Sequence, residues 1–287
     1  MNPDDKVIHG LWIGKTLSPI ELLCLKSFIF HGHEFHLWVY DHIETPLPAG
    51  VIVEDASKVI GRDNVFSYRN TNQFGHGKGS YAGFSDIFRY KLLYEYGGWW
   101  VDMDVICLKP FDFDEDFVFR KHHDFPMVGN MMKCKKNSDL MRICYEKASA
   151  AMDEHNRDWN LPIKILNDAV EDLQMKQYIR EISNPDSWLY VRKLLLKKCV
   201  VPGQWYALHL INEEWNRNKI DRMAMLKNSV LGDLLQQYSL WESSPLSRRW
   251  ANMFRLIMVR VSVKQMAGLV QRIFWKIVRM IKKEKPR

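Results

Sequence analysis

Apolar residues give this chain its rhythm, and the rhythm changes period along its length. Residues 6–14 (KVIHGLWIG) form an apolar run that closes on a glycine, as a buried strand does. Ser18-Pro19-Ile20-Glu21 is a capping box with proline at the first helical position, so a helix starts there; it runs to about Phe30, and Gly32 ends it. Residues 35–40 (FHLWVY) read as a second strand with Asp41 at its end, and residues 51–54 as a third. From 84 to 96 the period lengthens: Phe84, Ile87, Phe88 and Leu92 recur at three- and four-residue steps, which predicts a helix packed on a core. Gly97-Gly98 supplies its left-handed stop, and 99–106 follows as one buried strand. Farther on, 128–132 (VGNMM) reads as a strand and 140–152 as an amphipathic helix, whereas 160–172 and 179–199 have weaker periodicity. Strands alternating with helices predict an α/β fold with a mostly parallel central sheet, helices on both faces and ligands at the carboxyl ends of the strands. Trp12, Asp41, Asp102 and Asp104 fall near such ends.

The chemistry concentrates in 80–111, SYAGFSDIFRYKLLYEYGGWWVDMDVICLKPF. Asp86 and Arg89 are three apart and share one helical face. Asp102 and Asp104 interrupt an apolar run, and a period of two puts both carboxylates on one side of the expected strand. Such a pair is costly unless something positive or a set of donors meets it. A divalent cation suits it, since oxygen ligands favour Mg²⁺ or Mn²⁺; loop amides or a nearby arginine are the alternative.

The run SDIFRYKLLYEYGGWWVDMDV resembles the central motif of the DXD-containing sugar transferases of the glycosyltransferase family 32 type, with Trp100 standing where tyrosine is usual. The resemblance implies a GT-A type, Rossmann-like nucleotide-sugar-binding fold. It also implies metal-dependent, retaining transfer of a hexose, such as galactose, glucose or an N-acetylhexosamine, from a UDP-sugar. The acceptor would be a hydroxyl of a glycan or lipid-linked oligosaccharide, as in bacterial surface polysaccharide or lipopolysaccharide synthesis. Asp86 and Arg89 would grip the donor sugar, and Asp102 and Asp104 would hold Mn²⁺ or Mg²⁺. IHGLWIG resembles the family's opening segment, which puts Trp12 against the base, while His9 reads as structural. Asn130 resembles the asparagine facing the donor sugar. WYALHLINEEW (205–215) resembles the closing segment, in which His209 completes the metal shell and Asn212 and Trp215 contact the donor. FGHGKGS (74–80) lacks the Walker A pattern and reads as a solvated loop or as a flexible segment near donor or acceptor. Phosphohydrolases of the HAD type share the local pattern around Asp102 and Asp104, and they are the alternative. That pattern normally sits on their first strand, and here Asp86 and Arg89 would have no task in it.

Composition bounds the remainder. At 287 residues and 47% apolar, the chain holds one α/β core with a small appendage. Cys24, Cys107, Cys134, Cys144 and Cys199 show no metal-ligand spacing and read as buried reduced thiols, favouring a reducing compartment. MNPDDKVIHG lacks a basic segment followed by an apolar one, so no signal peptide is expected, and no uncharged run reaches the length of a membrane span. Residues 246–287 carry 12 Lys/Arg and one acid, leaving 29 Lys/Arg against 33 Asp/Glu in residues 1–245. The basic balance therefore belongs to the tail, and the acidic body with no recognised motif argues against a nucleic-acid partner. Arg272, Lys276, Arg279 and Lys283 fall on one face of a helical pattern, opposite Val270, Ile273, Ile277, Met280 and Ile281. The expected organisation is a transferase domain over 1–245 and a basic amphipathic tail over 246–287. That tail would bind an anionic membrane surface, which suits a peripheral enzyme on the cytoplasmic, inner face of the cell membrane. Residues 254–263 are less cleanly sided and read as the part that packs on the body.

Overall fold

A computed structural model describes residues 6–258. The helical pattern expected at 268–283 lies outside the described residues.

The chain opens β1 (Val7–Trp12), α1 (Pro19–Phe30), β2 (Glu34–Val39) and β3 (Val51–Asp55). The Ser18 hydroxyl accepts from a first-turn amide of α1 and Glu21 accepts from the Ser18 N–H at 2.6 Å, closing the capping box the sequence predicts. Next come α2 (Ala82–Tyr96), β4 (Gly98–Val101), β5 (Val105–Cys107), β6 (Val118–Lys121) and β7 (Met127–Cys134). The last part holds α3 (Asp139–Ala151), α4 (Leu161–Asp172), β8 (Ile179–Arg180), α5 (Trp188–Leu196), β9 (Ala207–His209), α6 (Asn212–Arg217), α7 (Val230–Gln237) and α8 (Leu246–Met258).

Seven strands form one sheet in the order β3-β2-β1-β4-β7-β6-β8. It is mostly parallel: β1 pairs in parallel with β2 and β4, whereas β7 runs antiparallel to both of its neighbours. This is a mixed α/β architecture with a mostly parallel central sheet, as the sequence predicts, and it is consistent with a GT-A type fold. Core residues lie on both faces, and Trp99 and Trp100 show why. Adjacent residues of a strand point to opposite faces, so Trp99 joins Phe28, Phe35 and Phe111 on one side, and Trp100 joins Phe84, Phe88 and Leu166 on the other. Burying each such phenylalanine contributes roughly 1.5–3 kcal/mol.

Two expectations need correction at the centre of this sheet. Residues 99–106 are not one strand. β4 ends at Val101, the Val105 N–H closes a turn on the Asp102 carbonyl at 3.0 Å, and β5 leaves the sheet to pair antiparallel with β9. Asp102 and Asp104 therefore lie on a turn, and the turn, rather than a period of two, aims both carboxylates one way. The glycine stop also differs: Gly97 has φ 72 and ψ −161, an extended conformation reserved for glycine rather than the left-handed helical one. A Cβ there would sit 2.7 Å from the Lys136 amide nitrogen, so helix α2 can hand over to β4 only through glycine.

Candidate functional site

β5 and β9 do the assembling. His209 pairs with Val105 across that two-stranded ribbon, which brings a residue more than a hundred positions distant beside the turn carrying Asp102 and Asp104. Each of the three offers one ligand atom, and these atoms lie within 4.8 Å of one another. Two carboxylates and an imidazole that converge with mostly buried surroundings suit a divalent cation.

Each aspartate belongs to a different ion-pair chain. Arg89, buried on α2, donates from Nη1 to Asp86 Oδ1 at 2.7 Å and from Nη2 to Asp102 Oδ1 at 2.8 Å. The Trp100 indole N–H adds a bond to the same Asp102 oxygen at 2.8 Å, and its ring lies 5.0 Å from the guanidinium carbon. Gly129 on β7 makes the room: a Cβ there would come within 2.6 Å of Arg89 Nη1. Burial pushes Asp86 up to about 6 and Asp102 upward as well, and Arg89 counters only part of that.

Asp104 sits in the other chain. Its Oδ2 accepts the Asn212 backbone N–H at 2.5 Å and faces His209 Nε2 at 3.5 Å. On its other side His209 Nδ1 donates to Asp186 Oδ1 at 2.6 Å. Arg120 grips Asp186 with both terminal nitrogens, at 2.6 and 2.8 Å, while its Nε bonds Ser183; His122 stands 3.4 Å from Asp186 Oδ2. Asn184 fixes the backbone of His209 from both sides, at 2.8 and 3.0 Å. Burial opposes ionisation of Asp104 and Asp186, but the His209 charge outweighs it, with Arg120 aiding at Asp186, so both carboxyls are held below the usual range. Burial likewise disfavours the His209 imidazolium, and Asp186 and Asp104 overcome this to raise it to about 10. With Nδ1 committed to Asp186, Nε2 is the nitrogen presented to the aspartate turn.

The other expected residues divide. Asn130 is buried on β7; its carbonyl accepts the Asp102 N–H at 2.9 Å and its side chain accepts from Arg120 at 3.3 Å, so it bridges the two chains. Asn212 meets Asp104 through its backbone, and its side chain is taken by Arg222. Trp12 is half-buried at the carboxyl end of β1, its indole N–H on the Thr16 carbonyl at 3.1 Å. Trp215 is not at the site. It is a core residue, 1% exposed, with its N–H spent on the Leu210 carbonyl at 2.7 Å. Asp41 is paired with Arg62 at 2.7 Å. His9 is buried and accepts from the Trp38 indole at 3.1 Å, as a structural histidine does. The glycine-rich loop does reach the site: His76 stands 3.3 Å from Glu213, the residue after Asn212. Sequence reasoning missed Asp186 and Arg120. Neither sits in a recognisable pattern, and the one available signal was an acid in a stretch with no clear periodicity.

Residues 50–122 match the family described as "Glycosyltransferase sugar-binding region containing DXD motif". No curated protein sequence matches the chain. A solved structure titled PaToxG Glycosyltransferase is similar at 16% identity, over 59% of this chain and 69% of its own, with a TM-score of 0.41. The structure of a transferase mutant is similar at 10% identity, over 59% and 85%, with a TM-score of 0.38. The family match spans the helix of Asp86 and Arg89 and the turn of Asp102 and Asp104, and it supports a DXD-containing glycosyltransferase.

Proposed function

We propose that the enzyme is of the family 32 type and transfers a hexose, with retention, from a UDP-sugar to a hydroxyl of a glycan or lipid-linked acceptor in surface polysaccharide or lipopolysaccharide synthesis. One observation carries the reading: Asp102, Asp104 and His209 converge beside a helix whose Asp86 and Arg89 are already wired to the same turn. Asp102, Asp104 and His209 would hold a divalent cation, Mn²⁺ or Mg²⁺, which would supply positive charge for a departing diphosphate. The protein's own groups do the rest. The Asn212 N–H favours the ionised form of Asp104, Asp186 fixes the ring of His209 so that Nε2, once it gives up its proton, faces the cation, and Arg89 holds the Asp102 carboxylate in place. Asp86 and Asn130 contact the donor sugar, and Trp12 packs on the base. Arg89, with both terminal nitrogens engaged, acts on the sugar through Asp86. The bond from C1 to the diphosphate breaks, the acceptor oxygen bonds to C1 on the same face, and its proton passes to the leaving phosphate. Only charge developing in that transition state lowers the barrier, and buried, pre-oriented groups around a cation at the diphosphate would act on that charge. The five free cysteines, four of them buried, support a reducing compartment, the cytoplasmic side of a cell membrane.

A donor panel tests this. The protein is mixed with UDP-galactose, UDP-glucose, their N-acetyl forms and GDP-mannose, with Mn²⁺ or with chelator, and donor hydrolysis is followed beside product anomer by NMR. Metal-dependent consumption of one UDP-sugar and a retained anomer are expected. An inverted product, or no donor consumed with metal, overturns the reading.

A further inference from the structure

Helix α8 (Leu246–Met258) wears its hydrophobic residues outside. Leu246, Trp250, Phe254 and Ile257 are 66%, 61%, 63% and 56% exposed. Their spacing of four, four and three puts them on one stripe of a helix about 20 Å long. Of the segment expected to pack on the body, Leu256 is buried while Phe254 and Ile257 face outward, and 259–263 lie outside the described residues.

The opposite part of the helix is fastened to the body. Asn252 is buried; it accepts the Asp221 N–H at 2.8 Å and donates to the carbonyls of Asp221 and Ala224 at 2.7 and 3.0 Å. Leu256 is 2% exposed, Arg248 pairs with Asp221, and Arg255 donates to the Lys219 carbonyl at 2.9 Å. The stripe is thus presented outward by polar pins on its far side, and is not a packing face left loose.

We infer that α8 lies in the surface of an anionic lipid bilayer, with Leu246, Trp250, Phe254 and Ile257 entering the acyl boundary. Charge selects this occupant. Residues 259–287, which continue from the helix, carry nine Lys/Arg against one acid, a composition drawn to acidic headgroups and repelled by a second copy of itself. An amphipathic helix with an apolar stripe on one side and polar residues on the other suits the plane of the interface; among the described residues no helix is long and apolar enough to cross a membrane. The same pins set where the site would stand. Arg222, next to Asp221, reaches the side chain of Asn212, and the Asn212 backbone holds Asp104. A short run of bonds therefore links the lipid-facing helix to the DXD turn, consistent with an acceptor that is itself anchored in the bilayer.

The test uses the full chain without donor or metal, so it stands or falls apart from the transferase reading. Co-sedimentation is measured with phosphatidylcholine vesicles, with and without phosphatidylglycerol, for the wild type and for a Trp250→Ser, Phe254→Ser double variant. Light scattering gives the oligomeric state, and circular dichroism confirms folding. Binding that needs phosphatidylglycerol, and that falls about tenfold or more in the folded double variant, is the expected result. Binding unchanged by the substitutions overturns the inference, as does absence of binding. A dimer that the substitutions dissociate also overturns it, assigning the stripe to a second copy of the chain.

Discussion

Asp102 and Asp104 are two residues apart and aim at one point, yet they are held by opposite halves of the protein. Asp102 is held by its near neighbours in sequence, Arg89 and Trp100, and burial leaves it reluctant to ionise. Asp104 is held by Asn212 and His209, and behind them by Asp186 and Arg120, which keep it charged. The carboxylate pair of the candidate metal site thus has one member held in its ionised form and one that burial leaves reluctant to ionise. Division of labour between adjacent carboxylates comes from surroundings, since their chemistry is the same.

The near half is where the largest effect is expected. Arg89→Met removes the one guanidinium shared by Asp86 and Asp102 and leaves both carboxylates partly buried without it, which should cost about 3–5 kcal/mol in urea unfolding. A loss no greater than that of an exposed arginine would show that Arg89 is dispensable to the fold and would dissolve the contrast. Asp104→Asn acts on the far half. It should lower transfer by about 10²–10³ and abolish Mn²⁺ binding by calorimetry while urea unfolding stays cooperative. Retained binding would mean that the cation is held by other residues. Asp186→Asn touches no ligand atom but frees the ring of His209; second-sphere loss of this kind should weaken Mn²⁺ binding about 10–100-fold. A purely structural role would instead lower stability and leave the metal affinity of the folded fraction unchanged.

Legibility follows the same division. The near half was readable because its partners are local: a three-residue step on α2 and a glycine pair bring Asp86, Arg89 and Asp102 together within seventeen residues of chain. The far half depends on β5 leaving the main sheet to pair with β9, a choice made by tertiary packing that no local period records. His209 was found only because its segment resembles a family's; Asp186 and Arg120 had no such segment and were not found. Trp215 shows the reverse error, since an aromatic near a motif is as often core as contact, and here burial decides it. The outward stripe of α8 was not legible for a related reason. Periodicity reports that a helix has an apolar face but not which side the polar pins hold.

The smallest expected effect separates the halves by sign. Asp86 has a folded value near 6 against an ordinary 3.8, so the folded chain binds the extra proton between them. Its contribution to stability is present below pH 3.8 and is lost as pH rises through 6. Asp186 is shifted the other way, so its contribution is present above the usual carboxylate range and is lost as pH falls. Unfolding midpoints measured in chelator should therefore diverge. Between pH 5 and 6 the wild type should lose about 1 kcal/mol relative to Asp86→Asn, because the substituted amide cannot ionise and carries no such penalty. Relative to Asp186→Asn the wild type should lose stability in the opposite direction, on acidification below the usual carboxylate range. If both variants tracked the wild type in the same direction, the two ion-pair chains would be titrating as one network through Asn130, the buried side chain that touches Arg120 and whose carbonyl meets Asp102.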